Sequence, residues 1–296
     1  MATAAAVVAR PIEPEQASLW SDAWKRLRRN RLALVGVVFL TLVVAMALTA
    51  LVWTPYRMSE IGAALPYEGP SWHHLMGADN LGRDQFSRLM VGAQISLIVG
   101  VGTQILVLAV GVPIGLLAGY YRGWIDSVVT FLINVFYGIP DLLVALILVF
   151  LLGPSLTNII IAIVATRWMD MTRLVRGQTL SLREREFIEA GKAAGARPLK
   201  MLFGHILPNA LGPIIVQATF GVPSAILFES FLSFLGVGVQ PPTPSWGSMA
   251  KDGVDAIRFA PFMVIFPSIV LSLTLMAFNF LGDGLRDALD PRSRKV

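Results

Sequence analysis

Apolar residues occur along this chain in long uninterrupted runs rather than in alternation with polar residues. The first run, residues 32–53, would be about 33 Å long as an α-helix, which is enough to cross the hydrocarbon core of a bilayer. Later apolar runs predict further spans at 95–119, 126–153, 156–168, 213–235 and 262–281. The pattern therefore predicts an all-α integral membrane protein with six transmembrane helices.

The third and fourth predicted spans are the least regular. The third, residues 126–153, is overlong and contains Gly138 and Pro140. Proline removes a backbone donor, so we expect an interruption there, and we favour a kink for packing over backbone that lines a pore. The fourth span, residues 156–168, has only a short strictly apolar run, and Arg167 and Asp170 are expected at its cytoplasmic boundary.

The distribution of charge predicts the orientation of these spans. The 296 residues are 55% hydrophobic and 15% charged, and the net charge is +5. With both termini in the cytoplasm, most of the 24 Lys and Arg residues fall in cytoplasmic segments, as the positive-inside rule requires. This placement of basic residues at the ends of apolar runs indicates membrane topology, and no nucleic-acid partner is expected.

The first 31 residues are expected to form a cytoplasmic tail followed by an amphipathic basic segment. Within this segment Trp20, Trp24 and Leu27 recur at helical spacing beside several Lys and Arg residues. Such a helix is typical of contact with anionic membrane lipid, and a simple topology anchor is the alternative, with which lipid contact is compatible. Residues 54–94, which follow the first span, are expected to be an extracytoplasmic loop.

The stretch 181–209 predicts a helix, a glycine turn and a second helix on the cytoplasmic side. Ser181 and Glu184 have the spacing of a capping box, so the first helix should start near Leu182. Alanines at 190, 193 and 194 give it a small side-chain face. Gly195 can adopt the left-handed conformation that ends a helix. Proline suits the first turn of a helix and disrupts its interior, so the second helix is expected to begin at Pro198 and to end at Pro208.

Within this stretch, Glu189-Ala190, Gly195 six residues after the glutamate, and Leu207-Pro208 resemble the EAA loop of permease subunits in bacterial ABC importers. Gly191 stands where that family usually has a second alanine. In the family this loop forms the coupling helix that sits in a cleft of the cytoplasmic ATPase. The resemblance implies that coupling residues here are Glu189, Ala190, Gly191, Ala193, Ala194, Gly195, Leu207 and Pro208.

Two extracytoplasmic segments, residues 74–89 and 236–247, resemble the dipeptide, oligopeptide and nickel branch of these permeases. The resemblance implies a permease domain at 95–291 with a basic tail at 292–296, in the bacterial inner membrane. The implied partners are a homologous second permease, two ATPase subunits that bind ATP and Mg, and an extracytoplasmic solute-binding protein. Peptides are the expected solute, and nickel or another small solute is the alternative.

The sequence contains no residue pattern for catalysis. There is no Gly-x-x-x-x-Gly-Lys-Ser/Thr motif for nucleotide and no cysteine, and the adjacent His73 and His74 are expected to bind no metal. We therefore expect a chain that is not an enzyme and holds no cofactor of its own. A gradient-driven transporter and a purely structural membrane subunit are the competing hypotheses.

Polar residues within the predicted spans are candidates for lining a translocation path. In the loop at residues 236–247, Trp246 is expected at the lipid interface. The candidate path residues are Asn134, Asp141, Gln217 and Glu229.

Overall fold

A computed structural model of the chain describes residues 19–290, and these residues fold into helices joined by loops. The predicted tail at 292–296 and most of the N-terminal tail lie outside the described residues. The helices are α1 Leu19–Leu27, α2 Arg31–Thr49, α3 Gln85–Tyr121, α4 Gly123–Tyr137, α5 Asp141–Leu152, α6 Leu156–Arg183, α7 Glu186–Ala193, α8 Pro198–Met201, a π-helical turn Leu202–Ile206, α9 Leu207–Phe234, α10 Trp246–Asp255 and α11 Phe262–Leu289.

Within residues 19–290, four helical stretches are long and apolar enough to cross a membrane, namely Arg31–Thr49, Gln85–Tyr121, Pro198–Phe234 and Phe262–Leu289. The bent pair α4 and α5 makes a fifth if it is taken as one span. The predicted fourth span lies in α6, which is long but carries several charged residues. The all-helical membrane architecture is therefore confirmed, while the count of six and the cytoplasmic position of both termini stay predictions.

The third predicted span is interrupted where the sequence placed Gly138 and Pro140. Here the chain does more than kink, because α4 ends at Tyr137, α5 begins at Asp141, and the two axes differ by 88°. Along the whole of α4 only Ile133 is buried, and large apolar residues such as Trp124 and Phe131 are exposed. The α4 helix therefore has an apolar surface that the described part of the chain does not cover.

The second span begins earlier than its apolar run, because α3 starts at Gln85 rather than near residue 95. The Asp84 side chain caps this helix by accepting a hydrogen bond from the Ser87 N–H at 2.7 Å. Gln85, Ser87 and Arg88 are polar yet buried. The sequence predicts a loop for these residues, whereas the structure places them at the start of the helix.

The α3 and α6 helices are in direct backbone contact along a row of glycines. A Cβ atom added at Gly115 would lie 2.7 Å from the carbonyl oxygen of Thr172, and Gly111 and Gly119 face α6 at similarly short distances. The Thr172 hydroxyl also donates to the Gly111 carbonyl at 3.3 Å. Small residues that let backbones approach are a common basis of helix association in membranes, so α3 and α6 form one tightly packed pair.

The helix α10 was not predicted, and the prediction for Trp246 was wrong. Trp246 is fully buried, and its indole N–H donates to the Leu89 carbonyl at 3.2 Å. The Ser245 side chain accepts a hydrogen bond from the Ser248 N–H and starts α10 at Trp246, whose indole packs on Gly92 of α3. This short helix then packs its glycines on its neighbours, with Gly247 against Ser230 of α9.

The basic N-terminal helix α1 packs on the last helix. Ala23 and Leu27 lie in a small apolar cluster with Ala33 of α2 and Ala288 of α11. Trp24 is exposed, and the Arg28 guanidinium lies 4.6 Å from its ring centroid. The segment is helical from Leu19 to Leu27, and its contact with lipid stays a prediction.

The glycine contact between α3 and α6 predicts a specific sensitivity to a single methyl group. Gly115→Ala should destabilise the protein by about 1–3 kcal/mol, because the added Cβ atom meets backbone atoms that cannot move aside. The thermal unfolding temperature of the purified protein in detergent measures this effect. Gly102→Ala in the same helix is the matched control, since its nearest new neighbour is 3.8 Å away. An equal loss of stability in both variants would contradict the role given to this contact.

The orientation can be tested because the chain contains no cysteine. A single cysteine in place of the exposed Lys200 should react with a membrane-impermeant maleimide only from the cytoplasmic side. A cysteine in place of Trp72, which is 95% exposed in the outer loop, should react only from the other side. Labelling of position 200 from outside intact cells would contradict the predicted topology.

Candidate functional site

The predicted coupling stretch forms a short arm fixed to the bundle by one buried side chain. Ile188 is the buried residue of α7, and it packs in a cluster that includes Met201, Leu202 and Ile206. Gly191 faces Met201 so closely that a Cβ atom there would lie 2.9 Å from the Met201 methyl carbon. The glycine that departs from the family pattern therefore brings α7 close against α8.

The turn after α7 has the predicted conformation. Gly195 has a φ of +76°, and the Ala196 N–H donates to the Gly191 carbonyl at 3.0 Å, which closes the end of the helix. Pro198 is then the first residue of α8, as predicted. The helix–glycine–helix arrangement is therefore present.

Both outer limits predicted for this arrangement were wrong. Ser181 does not cap a helix near Leu182, because α6 continues to Arg183, whose side chain donates to the Tyr120 carbonyl of α3. The helix α7 begins instead at Glu186. At the other limit, Pro208 does not end a helix.

The continuous helix across Pro208 has a structural explanation. The chain stays helical from Pro198 to Phe234. The wide π-helical turn Leu202–Ile206 lies directly before this proline, and the Leu207 N–H donates to the Leu202 carbonyl. A wide turn gives the proline ring room that a regular α-helix lacks.

Most of the predicted coupling residues of α7 and its turn are exposed on the arm. Gly191 of α7 and Leu207 of α9 are partly buried, and Pro208 is exposed. The exposed set also includes large apolar residues that would be unfavourable in water, with Leu199 at 66% exposure and Phe203 at 55%. We call this set the arm surface, and it consists of Phe187, Glu189, Ala190, Ala193, Ala194, Gly195, Leu199 and Phe203.

A second candidate site is a row of charged residues on α6, three positions apart. This polar row consists of Arg167, Asp170, Arg173 and Arg176. Residues three apart are neighbours on a helix surface, so the four side chains form one slanting row. The spacing is visible in the sequence, but from the sequence Arg167 and Asp170 are expected at the membrane boundary rather than in a site.

Each member of the polar row contacts α4 or the start of α5. Arg176 donates to Asp126 at 2.8 Å, and Arg167 pairs with Asp141 at 3.1 Å. The Asp170 carboxylate accepts a hydrogen bond from the Tyr137 hydroxyl. Arg173 lies over the Tyr137 ring at 4.3 Å and reaches Asn134 at 3.5 Å. Polar contacts therefore hold α4 along α6.

A cleft lies beside this row, between α3, α6 and α9. Its volume is about 70 Å³, and Arg167 and Asp170 form part of its lining. The remaining polar lining comes from the two neighbouring helices, as Thr103, Gln104, Gln217 and Ser224.

Three of the four candidate path residues lie at the polar row or the cleft, because Asn134 and Asp141 contact the row and Gln217 lines the cleft. Glu229 lies elsewhere and is fully buried between α9 and α10, where it accepts hydrogen bonds from Ser233 and Ser245. Its side chain faces no open surface of this chain.

The loop before α3 is held by polar contacts of its own. The His74 Nδ1 atom lies 3.0 Å from Asp84, and Asp79 pairs with Arg83 at 2.6 Å. Arg88 at the start of α3 reaches Asp252 of α10 at 3.8 Å. Partial burial raises the pKa of Asp252, and the charge of Arg88 opposes that shift. His74 is thus part of the packing of the loop.

Comparison with known families identifies the chain. The family described as the binding-protein-dependent transport system inner membrane component matches residues 111–295. The N-terminal transmembrane domain of oligopeptide transport permease C matches residues 18–70. The chain belongs to this family of ABC importer permeases. It is a multi-pass permease subunit of the inner membrane and not an enzyme, so the resemblance seen in the sequence is confirmed.

Similar proteins cover nearly the whole chain. The oligopeptide transport system permease protein OppC of Bacillus subtilis is 42% identical over 97% of this chain and 94% of its own length. The dipeptide permease DppC of the same organism is 45% identical over 94% and 87%. The glutathione permease GsiD of Pectobacterium atrosepticum is 39% identical over 92% and 91%.

Among solved structures, the MetNI methionine ABC transporter in an inward-facing conformation has a chain of the same fold. The TM-score is 0.57 at 19% identity, and the match covers 69% of this chain and 96% of that one. The fold of this permease is therefore that of an ABC importer transmembrane subunit.

The contact between α4 and the polar row can be measured by a double-mutant cycle. Asp126→Asn and Arg176→Gln should each lower the unfolding temperature. The loss of unfolding free energy in the double variant should be smaller than the sum of the two single losses by about 0.5–3 kcal/mol, because both variants remove the same pair. The control is the pair Arg122 and Glu184, whose side chains are 44% and 69% exposed. Exposed pairs contribute little, so its coupling should be below about 1 kcal/mol. Equal coupling in the two cycles would contradict the role of the polar row.

Proposed function

We propose that this permease forms one half of the translocation path of an ATP-driven peptide importer and receives the movement of an ATPase through the arm surface. The observation that carries this proposal is the position of α7. It lies in the chain between the ends of two long helices, α6 and α9, and it packs on them through Ile188. A displacement of α7 therefore acts on both helices together.

The arm surface has the properties that an ATPase cleft requires. Its alanines and Gly195 allow a partner to approach the α7 backbone closely, and its exposed Phe187, Leu199 and Phe203 supply apolar area to bury. Glu189 adds one carboxylate that can pair with a basic group of the partner. Two ATPase subunits, which bind ATP and Mg, are the partners we assign to this surface and to its equivalent on a second permease.

A homologous second permease is the partner we assign to the exposed face of α4 and the open side of the cleft. The cleft between α3, α6 and α9 has a volume of about 70 Å³, whereas a peptide needs a wider path. Closure of the ATPases would move α7 and α6, and α3 would follow because its glycine row touches the α6 backbone. The α4 helix, held mainly by polar contacts, could then change its contacts at lower cost.

Peptides are the solute class that the relatives favour. The permeases compared above are named for oligopeptides, dipeptides and glutathione, which is itself a tripeptide. An extracytoplasmic solute-binding protein would deliver the peptide at the outer loop and α10. Nickel remains the alternative suggested by the sequence, and no contact within residues 19–290 favours it.

The coupling role of the arm predicts a variant in which ATP hydrolysis no longer drives transport. Gly195→Val should reduce peptide uptake to below about a tenth, since a β-branched residue at this positive φ is strained by about 1–3 kcal/mol and would reorient α7. Uptake and ATP hydrolysis are measured in proteoliposomes that contain the complete transporter, and membrane abundance should stay unchanged.

Gly153→Val is the matched control, because Gly153 also has a positive φ and no neighbour within 4 Å but lies in the turn between α5 and α6. This variant also strains a backbone at positive φ, but away from the arm, so it should retain most of its uptake. Normal uptake by the Gly195→Val variant would refute the coupling assignment.

A further inference from the structure

Two buried polar atoms beside the cleft have no hydrogen-bond partner. They are the hydroxyl oxygen of Thr103 on α3 and the Nε atom of Arg167 on α6. Thr103 is only 1% exposed, so its hydroxyl is withdrawn from solvent. Buried polar groups are nearly always paired in folded proteins, and unpaired ones at a cleft point to a ligand that pairs with them.

The cleft also contains two amide side chains that can both donate and accept. Gln104 reaches from α3 to α9 and lies on Gly221, where a Cβ atom would come within 1.8 Å of its amide oxygen. Gln217 of α9 lines the same cleft. The absence of a side chain at Gly221 therefore gives Gln104 its position.

The fixed charges near the cleft sum to zero. Arg167 is paired with Asp141 and lies 4.0 Å from Asp170, and Asp170 shares Tyr137 with Arg173. Two arginines are thus balanced by two aspartates. A free carboxylate or ammonium group would enter a membrane-embedded cleft without a compensating charge, which is unfavourable. A neutral group with both a donor and an acceptor fits better.

We propose that this cleft is a subsite for the peptide group of the transported solute, and this inference rests on the proposed function. The peptide carbonyl would accept from the Arg167 Nε–H, and the peptide N–H would donate to the oxygen of Gln217 or of Thr103. A volume of about 70 Å³ has room for a group of a few atoms and not for a whole peptide. The subsite therefore binds the backbone group that all peptides share and makes no contact with their side chains.

The test compares a peptide with an analogue that lacks only the N–H. The complete transporter in proteoliposomes, with a saturating amount of its solute-binding protein, is given alanine peptides of two to five residues or their ester analogues, in which oxygen replaces each peptide nitrogen. At least one of Thr103→Val and Gln217→Leu should lower uptake of the peptide about three- to tenfold, because the side chain that it removes is the acceptor of the peptide N–H. Uptake of the ester should change much less.

Thr219→Val is the matched control, since the Thr219 hydroxyl donates to the Ile215 carbonyl within α9 and does not line the cleft. The ratio of peptide to ester uptake should equal that of the wild type in this variant. The solute-binding protein contributes equally in all variants, so its contribution cancels when the ratios of peptide to ester uptake are compared between variants.

The remaining outcomes separate the two proposals. If Thr103→Val and Gln217→Leu leave the ratio of peptide to ester uptake unchanged, whether uptake falls or not, the subsite is refuted and the transport function stands. If the wild-type complex takes up no alanine peptide of any length, the proposed function fails, and the subsite fails with it.

Discussion

The contact between the backbones of α3 and α6 is the constraint on which the other features of this permease depend. Gly111, Gly115 and Gly119 bring α3 so close to α6 that the two helices cannot slide past each other without a clash. The N-terminal end of α3 follows the loop held by Asp79 and Asp84, and α6 leads directly into α7. One tightly packed pair therefore joins that loop to the arm.

The α4 helix is held in a different way, and the difference matters for movement. It exposes most of its apolar surface and contacts α6 through the polar row, whose arginines and aspartates balance each other beside the cleft. Close apolar packing has one favoured arrangement, whereas hydrogen bonds and ion pairs can exchange partners. The chain thus combines a tightly packed pair of helices with an adjacent helix that is held mainly by polar contacts.

The sequence was sufficient for features that depend on one residue type or on long apolar runs. Gly195 in its left-handed turn, Pro198 at a helix start and the break near Pro140 were all predictable, because each follows from local backbone chemistry. Burial by distant segments was not predictable. Trp246 and Glu229 looked suited to an interface or a path, but Trp246 is buried against α3 and Glu229 accepts a hydrogen bond from Ser245 at the start of α10. The contacts of the polar row were not predictable either, because they depend on α4 lying along α6.

The π-helical turn before Pro208 sets the helical phase between the arm and the span that follows it. Buried positions at Leu202, Ile206, Ala210 and Ile214 keep one apolar stripe across this turn. One residue corresponds to about 100° of rotation in an α-helix. Loss of a single residue here would therefore turn α8 about its axis relative to α9 and would point the arm in another direction, although every span would remain intact.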